Sequence, residues 1–240
     1  MSETTNINFL FGDALTRSSL DTFVDECFDF GCTTRQDGQT DTVSYLGALT
    51  DHDFDYVGLE EALSDIDRHE YGSFQLRCNG VVLLAYVNTT GNDGRPFPGV
   101  PIISLSVDRV YFHDEVEIDI PTIDETVRTL TGLTTHLSAA MDPIHVAGYN
   151  SASDSAYEEY PFLDFGLDEL RTREIPDVFW LNIYRPADVE QFGRETLLSA
   201  PVWQVQELPD GSILLVMTES PYRIDYDTRG RVRTHLGLDD

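Results

Sequence analysis

Two short turn motifs between strand-like segments limit the kind of sheet that this chain can form. Asn79-Gly80 separates Phe74–Cys78 from Val81–Val87, and asparagine followed by glycine is the strongest short signal for a two-residue β-hairpin. Pro209-Asp210-Gly211 separates two further strand-like segments and has the residues of a tight turn. Because a hairpin joins antiparallel neighbours, these connections predict an antiparallel or mixed sheet and not a doubly wound parallel one.

Helical patterns between the strands make the predicted fold α+β. Apolar residues in Thr16–Phe30 follow the i, i+3, i+4, i+7 spacing of an amphipathic helix. Ile123–Met141 has the same spacing, and Thr122 with Glu125 forms a capping box at its start. The segments 222–227 and 231–236 predict a last, weaker hairpin. We therefore expect an antiparallel or mixed sheet with the helices packed on one face.

The chain also divides into two parts that have a loosely similar order of elements. Residues 1–150 form the first α+β half and residues 175–240 the second, while residues 151–174 form an acidic connecting segment. Two similar subdomains are one option, and two halves packed together as one globular unit are the other. Long connections of this kind often carry function. The aromatic residues of this segment are our candidates for contact with a partner: Tyr157, Tyr160, Phe162 and Phe165.

The charge of the chain indicates adaptation to high salt. The net charge is −28, and all 15 basic residues are arginine. Carboxylate repulsion is strong in dilute salt, where the Debye length is ~10 Å, and nearly vanishes at 1 M, where it is ~3 Å. The composition resembles that of haloarchaeal proteins, so we expect K+ or Na+ counterions at high concentration. The alternative is an acidic mimic of nucleic acid. Binding to nucleic acid or to an anionic membrane is not expected, because both need basic surfaces.

The cysteines and the N-terminus predict a cytoplasmic protein. The three cysteines, Cys27, Cys32 and Cys78, lack the spacing of a disulfide framework or of a zinc site, so we expect reduced, buried thiols. The N-terminal residues have no signal-peptide pattern. The longest apolar run, Val81–Val87, is too short to span a bilayer.

Two groups of residues are candidates for chemistry. Asp51, Asp53 and Asp55 begin like a calcium loop, although the sixth and twelfth positions of that loop do not match. His113-Asp114-Glu115 follows a predicted strand, where a carboxylate next to histidine could assist proton transfer. Phosphate-binding glycine loops, the nucleophile elbow and the zinc-protease motif are missing from the sequence. We therefore expect no cofactor, and we keep a hydrolase or a metal-dependent enzyme as the alternative function.

The segment from Val178 to Ser220 resembles the C-terminal part of immunity proteins of polymorphic toxin systems. It has a strand with a tryptophan, a helix, a second tryptophan and a hairpin, and it is similar to the tryptophan-bearing immunity protein 52 type. The resemblance depends on Trp180, Phe192, Gly193, Trp203 and Gly211. It implies a non-enzymatic protein that binds and neutralises a toxin. The alternative is that both tryptophans are ordinary core residues of a sheet.

Overall fold

The computed structural model describes residues 3–35, 40–50, 53–92, 99–113, 120–150, 167–172, 177–224 and 226–238. Within them the protein has eleven strands and seven α-helices. The strands are β1 Thr4–Leu10, β2 Cys32–Thr33, β3 Thr42–Leu46, β4 Asp55–Gly58, β5 Tyr71–Cys78, β6 Val81–Asn88, β7 Ile102–Asp108, β8 His145–Asn150, β9 Leu181–Tyr184, β10 Gln204–Glu207 and β11 Ile213–Val216. The helices are α1 Arg17–Asp29, α2 Leu59–His69, α3 Ile123–Met141, α4 Leu167–Thr172, α5 Pro186–Phe192, α6 Arg194–Leu198 and α7 Tyr226–Leu236. None of the helices in these ranges is long and apolar enough to cross a membrane.

All the strands belong to one antiparallel sheet. Its order is β10-β11-β9-β8-β1-β7-β6-β5-β3-β4, and β2 pairs with β5 beside this path. The first strand of the chain therefore lies in the middle of the sheet, between β7 and β8. The pairing of β8 with β9 continues the sheet from the first half of the chain into the second. The predicted α+β fold with an antiparallel sheet is confirmed, and the division at residues 151–174 stays a prediction.

Helices α1, α2 and α3 cover one face of the sheet, as the apolar patterns predict. Phe23 of α1, Ile66 of α2 and Leu130 of α3 are buried in one core with sheet residues such as Leu83 and Leu105. The capping boxes that begin α1 at Thr16 and α3 at Thr122 are both present, so the local sequence fixes where these helices start. We call this side of the sheet the front face.

The C-terminal helices add a second layer on the opposite face. Strand residues alternate between faces, and Leu214 of β11 lies in the front core while Ile213 and Leu215 lie in a second core. Leu197 of α6 and Val232 of α7 are buried in that second core. Leu170 of α4 is buried on the same back face, in a third core with Leu10, Ile102 and Ala147. Helices therefore lie on the front face over most of the sheet, and on the back face in its middle and at the β9–β11 end.

Two elements end at local breaks in the backbone. The strand that begins at Ile102 ends at Asp108, because the Asp108 side chain accepts a hydrogen bond from the Val110 N–H and begins a short 3-10 turn. The helix that begins at Pro186 breaks at Gly193, where φ is +87°, a value that side chains other than glycine rarely adopt.

The predicted C-terminal hairpin is wrong, because this segment forms helix α7. Val232 and Leu236 are one helical turn apart, and both are buried in the second core. Arg229 and Arg233, also one turn apart, form ion pairs with the buried Asp177 carboxylate. Burial raises the pKa of Asp177, although the Val178 N–H and Arg233 act in the other direction. Tertiary contacts therefore decide the structure of a segment whose own pattern is weak.

The expectation of three reduced thiols is wrong for two of them. Cys32 and Cys78 lie directly opposite each other where β2 pairs with β5, and they form a disulfide. Cys27 is free and buried, as predicted. Because disulfides are typical of oxidising compartments, the cytoplasmic location stays a prediction.

Candidate protein-contact surface

Most of the large apolar side chains that reach solvent lie together at one end of the sheet. Among the described residues, five large apolar side chains are exposed, and four of them belong to β4, the start of β5 and the turn between β3 and β4. These four are 43–64% exposed, and we call them the aromatic edge patch: Leu49, Phe54, Tyr56 and Tyr71. Exposed apolar residues that concentrate in one part of a surface often mark a contact site.

The strand register places the tyrosines of the aromatic edge patch on the back face of the sheet. Tyr45 of β3 lies opposite both Asp55 of β4 and Phe74 of β5, and its side chain is buried in the front core. Because residues alternate between faces, Tyr56 and Tyr71 point the other way. Strand β4 is the last strand of the sheet order, so the patch lies at a free sheet edge.

A buried hydrogen-bonded pair holds the turn that carries Leu49. The Tyr45 hydroxyl donates to Asp65 Oδ2 of α2 at 2.6 Å, and the Leu49 N–H donates to the same oxygen at 3.3 Å. Burial, with the Asp65 carboxylate, raises the pKa of Tyr45, so the hydroxyl keeps its proton and donates. A Cβ at Gly47 would lie 1.9 Å from the Tyr45 hydroxyl oxygen, and one at Gly72 would lie 2.8 Å from it. The patch is therefore built on a packed base that leaves no room for side chains at either glycine.

Acidic residues alternate with the aromatic residues in the sequence of this edge. Asp53 and Asp55 are exposed next to Phe54 and Tyr56, so acidic and aromatic residues alternate along this edge. The guanidinium carbon of Arg35 lies 5.1 Å from the centre of the Tyr56 ring, a cation–π contact. The Tyr56 N–H donates to the Asp55 carboxylate at 2.7 Å, which satisfies one backbone donor of this edge strand. Together these features favour a partner with basic and apolar side chains.

The structure places part of the predicted calcium loop in this patch. Asp51 lies outside the described residues, while Asp53 precedes β4 and Asp55 begins it. No group of three or more metal-ligating side chains comes together anywhere in the described ranges. Metal binding by this loop stays a prediction.

The second group of chemical candidates lies far from the first. His113 follows the end of β7, four strand spacings from β4 in the sheet order, which is about 19 Å. Strands β7 and β4 run in the same direction, so His113 and Asp55 also lie towards opposite ends of the sheet. Arg109 Nε donates to His113 Nε2 at 2.6 Å, so the lone pair of that nitrogen is already used. Asp114 and Glu115 lie outside the described residues.

The contact residues that we predicted from the sequence differ from those of the patch. Tyr157, Tyr160, Phe162 and Phe165 all lie outside the described residues, so they stay predictions. Phe54 and Tyr56 were missed because their segment reads as polar and irregular. Aromatic residues that alternate with aspartates from 53 to 56 are the signal that could have identified them.

The two tryptophans of the Val178–Ser220 segment have different environments. Trp180 is fully buried, and its indole N–H donates to the Thr218 carbonyl at 3.0 Å. Trp203 is 43% exposed and lies beside β10, at the other edge of the sheet from the aromatic edge patch. Only Trp180 is therefore a core residue.

The described residues define an α+β protein built on one long antiparallel sheet, with an acidic aromatic patch at one edge. No family model matches the chain, and no curated protein matches it. Among solved structures, it is similar to the Pseudomonas aeruginosa T6SS protein PA0821 over 99% of this chain and 72% of that one, with a TM-score of 0.50 and 11% sequence identity. At this level of identity the likeness concerns the fold alone.

Proposed function

We propose that this protein is a non-enzymatic protein-binding module of the immunity type, and that the aromatic edge patch contacts its partner. The observation that carries the proposal is the concentration of Leu49, Phe54, Tyr56 and Tyr71 at the β5-β3-β4 end of the sheet, among the residues that the structure describes. In such a module, binding itself blocks the partner, so no catalytic group is required.

The energetics of the patch support this role. Full burial of a side chain of this size is worth about 1.5–3 kcal/mol, and these side chains still have 43–64% of their area to bury. Tyrosines are also frequent among the residues that dominate interface energies. The Asp65–Tyr45 pair holds the turn at Leu49 before binding, which reduces the entropy cost of ordering it in the complex. A few aromatic side chains on a fixed base can therefore provide much of the affinity.

The structural neighbour supports the same kind of role. The neighbour is named as a T6SS protein, which is a protein of a secretion system, and immunity proteins act against the toxins of such systems. The resemblance of the Val178–Ser220 segment to immunity proteins points in the same direction. The high net negative charge, −28, favours a basic partner through short-range charge pairing, because longer-range attraction is screened at high salt.

The enzyme alternative has less support from the described residues. A hydrolase based on His113 needs an imidazole nitrogen that can accept a proton, but Nε2 already accepts a hydrogen bond from Arg109, which leaves Nδ1 alone for this role. Asp53 and Asp55 of the other candidate group lie at the β4 edge, four strands away from β7. We therefore keep protein binding as the proposed function.

The test is a binding experiment in molar KCl with the proteins encoded beside its gene. Tagged protein is used to capture each neighbour-encoded protein, and the affinity is measured for any pair that forms. The variant Phe54→Ala/Tyr56→Ala/Tyr71→Ala removes the rings of the patch. The matched control Phe54→Leu/Tyr56→Phe/Tyr71→Phe keeps large apolar side chains at all three positions.

We expect one neighbour-encoded protein to bind, and we expect the alanine variant to weaken its affinity by about a hundredfold or more, since single hot-spot truncations cost about 2 kcal/mol. The control variant should stay within about tenfold of the wild type. If no neighbour-encoded protein binds, the immunity-type function is wrong. If the alanine variant binds as tightly as the wild type, the contact surface lies elsewhere.

A further inference from the structure

Strand β10 is an open edge at the other end of the sheet. In the described residues it pairs with β11 alone and ends the sheet order. In an antiparallel pair every second residue points its backbone N–H and C=O away from the partner strand. Two of the four residues of β10 therefore offer these groups outwards, as a template for another strand. This differs from β4, where the Asp55 side chain already accepts the Tyr56 N–H.

A groove runs along the front of this edge, between β10 and α3. Its volume is about 340 Å³, and its lining includes Thr131 and Thr135 of α3, Gln204 and Gln206 of β10, and Trp203. The glutamines point to the front face, because they pair with Val216 and Leu214, which lie in the front core. Asp124 and Arg128 form an ion pair at the α3 side of the groove. The groove is therefore mostly neutral and polar, with one exposed indole ring.

An open strand edge beside a helix is the arrangement in which extended peptides bind by strand addition. Backbone hydrogen bonds to the edge give affinity, and alternate side chains of the peptide enter the neighbouring groove. We infer that β10 and α3 form a docking groove for an extended segment of a basic protein partner, which adds to the sheet as a further strand beside β10. This surface is separate from the aromatic edge patch, and its test does not depend on the proposed function.

The charge of the chain favours a basic segment over a second copy of this protein. Two copies would each bring a net charge of −28 to the interface, and like charges in direct contact across an interface are costly even where salt screens longer-range repulsion. An extended segment with arginine or lysine outside the groove and small apolar side chains inside it matches both the acidic surface and the neutral lining.

The test uses a synthetic probe and the full chain. The probe is a fluorescein-labelled ten-residue peptide that alternates valine with arginine, and its anisotropy is followed with increasing protein at KCl concentrations that keep the protein folded. One control peptide carries N-methyl groups on alternate residues, which blocks pairing along one edge, and another has glutamate in place of arginine. The variant Thr135→Trp fills the groove, and Ala140→Trp places the same side chain on another side of α3, where position 140 is exposed.

We expect the valine–arginine peptide to bind with a Kd below about 1 mM, and both control peptides to bind at least about tenfold more weakly. Thr135→Trp should weaken binding by a similar factor, while Ala140→Trp should not. Equal binding of the N-methylated peptide would overturn strand addition, and equal binding by Thr135→Trp would overturn the location. A Kd above about 1 mM for the valine–arginine peptide would overturn the proposal that the partner is a basic segment. A dimer of the protein alone that Thr135→Trp disrupts would show that the groove binds a second copy instead.

Discussion

At the scale of single residues, the pairs that hold this molecule together join positions that are distant in the sequence. Tyr45 and Asp65 are 20 residues apart, and their hydrogen bond supports the turn at Leu49. Cys32 and Cys78 are 46 residues apart. Closing a loop of this length would stabilise the fold by about 4 kcal/mol in the chain-entropy model. Neither pair is visible in the local sequence, because each depends on the register of strands that meet only in the folded sheet.

The first prediction concerns the reactivity of the three cysteines. In the folded protein without reductant, iodoacetamide should label none of them, because burial of Cys27 raises the pKa of its thiol and excludes the reagent. After unfolding without reductant, mass spectrometry should show one label, on Cys27. After unfolding with reductant it should show three. Three labels in the unfolded, unreduced sample would contradict the disulfide.

At the scale of elements, the local sequence predicts a helix or turn well where the signal is short-range and specific. The capping box of Thr122 and Glu125 begins α3 at the predicted residue, and Asn79-Gly80 joins β5 to β6 as predicted. Helix α7 was missed because its stability comes from the burial of Val232 and Leu236 under the sheet. The aromatic edge patch was missed for the same kind of reason, since its place depends on the order of the strands.

Replacing Gly230 by alanine tests whether the C-terminal segment is a helix. Gly230 lies in the middle of α7, and a Cβ there meets no atom within 4 Å. In a helix, Gly230→Ala should raise the free energy of unfolding by about 0.5–1 kcal/mol, measured in urea. In a hairpin turn that depends on glycine, the same change would lower it. As a contrast, Gly193→Ala should destabilise the protein by about 1–3 kcal/mol, because φ is +87° at that position.

The hairpin between β10 and β11 should depend on pH through Asp210. Burial alone would raise the pKa of this carboxyl group. The Ser212 N–H and hydroxyl donate hydrogen bonds to it at 3.0 Å and 2.9 Å, and Arg185 adds a positive charge nearby. These contacts outweigh burial, so the pKa of Asp210 is lowered. Because the pKa of Asp210 is lower in the folded protein, its ionisation stabilises the fold at pH values above the pKa of the unfolded chain, about 3.9. This stabilisation is lost as the pH falls through the pKa of the folded protein.

We therefore expect Asp210→Asn to cost about 1 kcal/mol at pH 7 and progressively less below about pH 4. Urea unfolding of both proteins across this range measures the difference, and Asp67→Asn, at an exposed position on α2, controls for the loss of one charge. A difference that stays constant down to pH 2 would contradict the assigned role of Asp210.

At the scale of the whole molecule, the net charge of −28 opposes the compact state. We expect the melting temperature, followed by circular dichroism, to fall steadily as KCl is reduced from about 2 M to about 0.05 M, because the Debye length grows severalfold over this range. An unchanged melting temperature in dilute buffer would show that the acidic surface does not require salt.

The central claim is that this protein acts by binding another protein through the aromatic edge patch. The most direct measurement is hydroxyl-radical footprinting of the free protein and of its complex with the captured partner. The account predicts that oxidation of Leu49, Phe54, Tyr56 and Tyr71, all exposed in the free protein, falls severalfold in the complex. Unchanged oxidation of these four side chains in a complex that otherwise forms would contradict it.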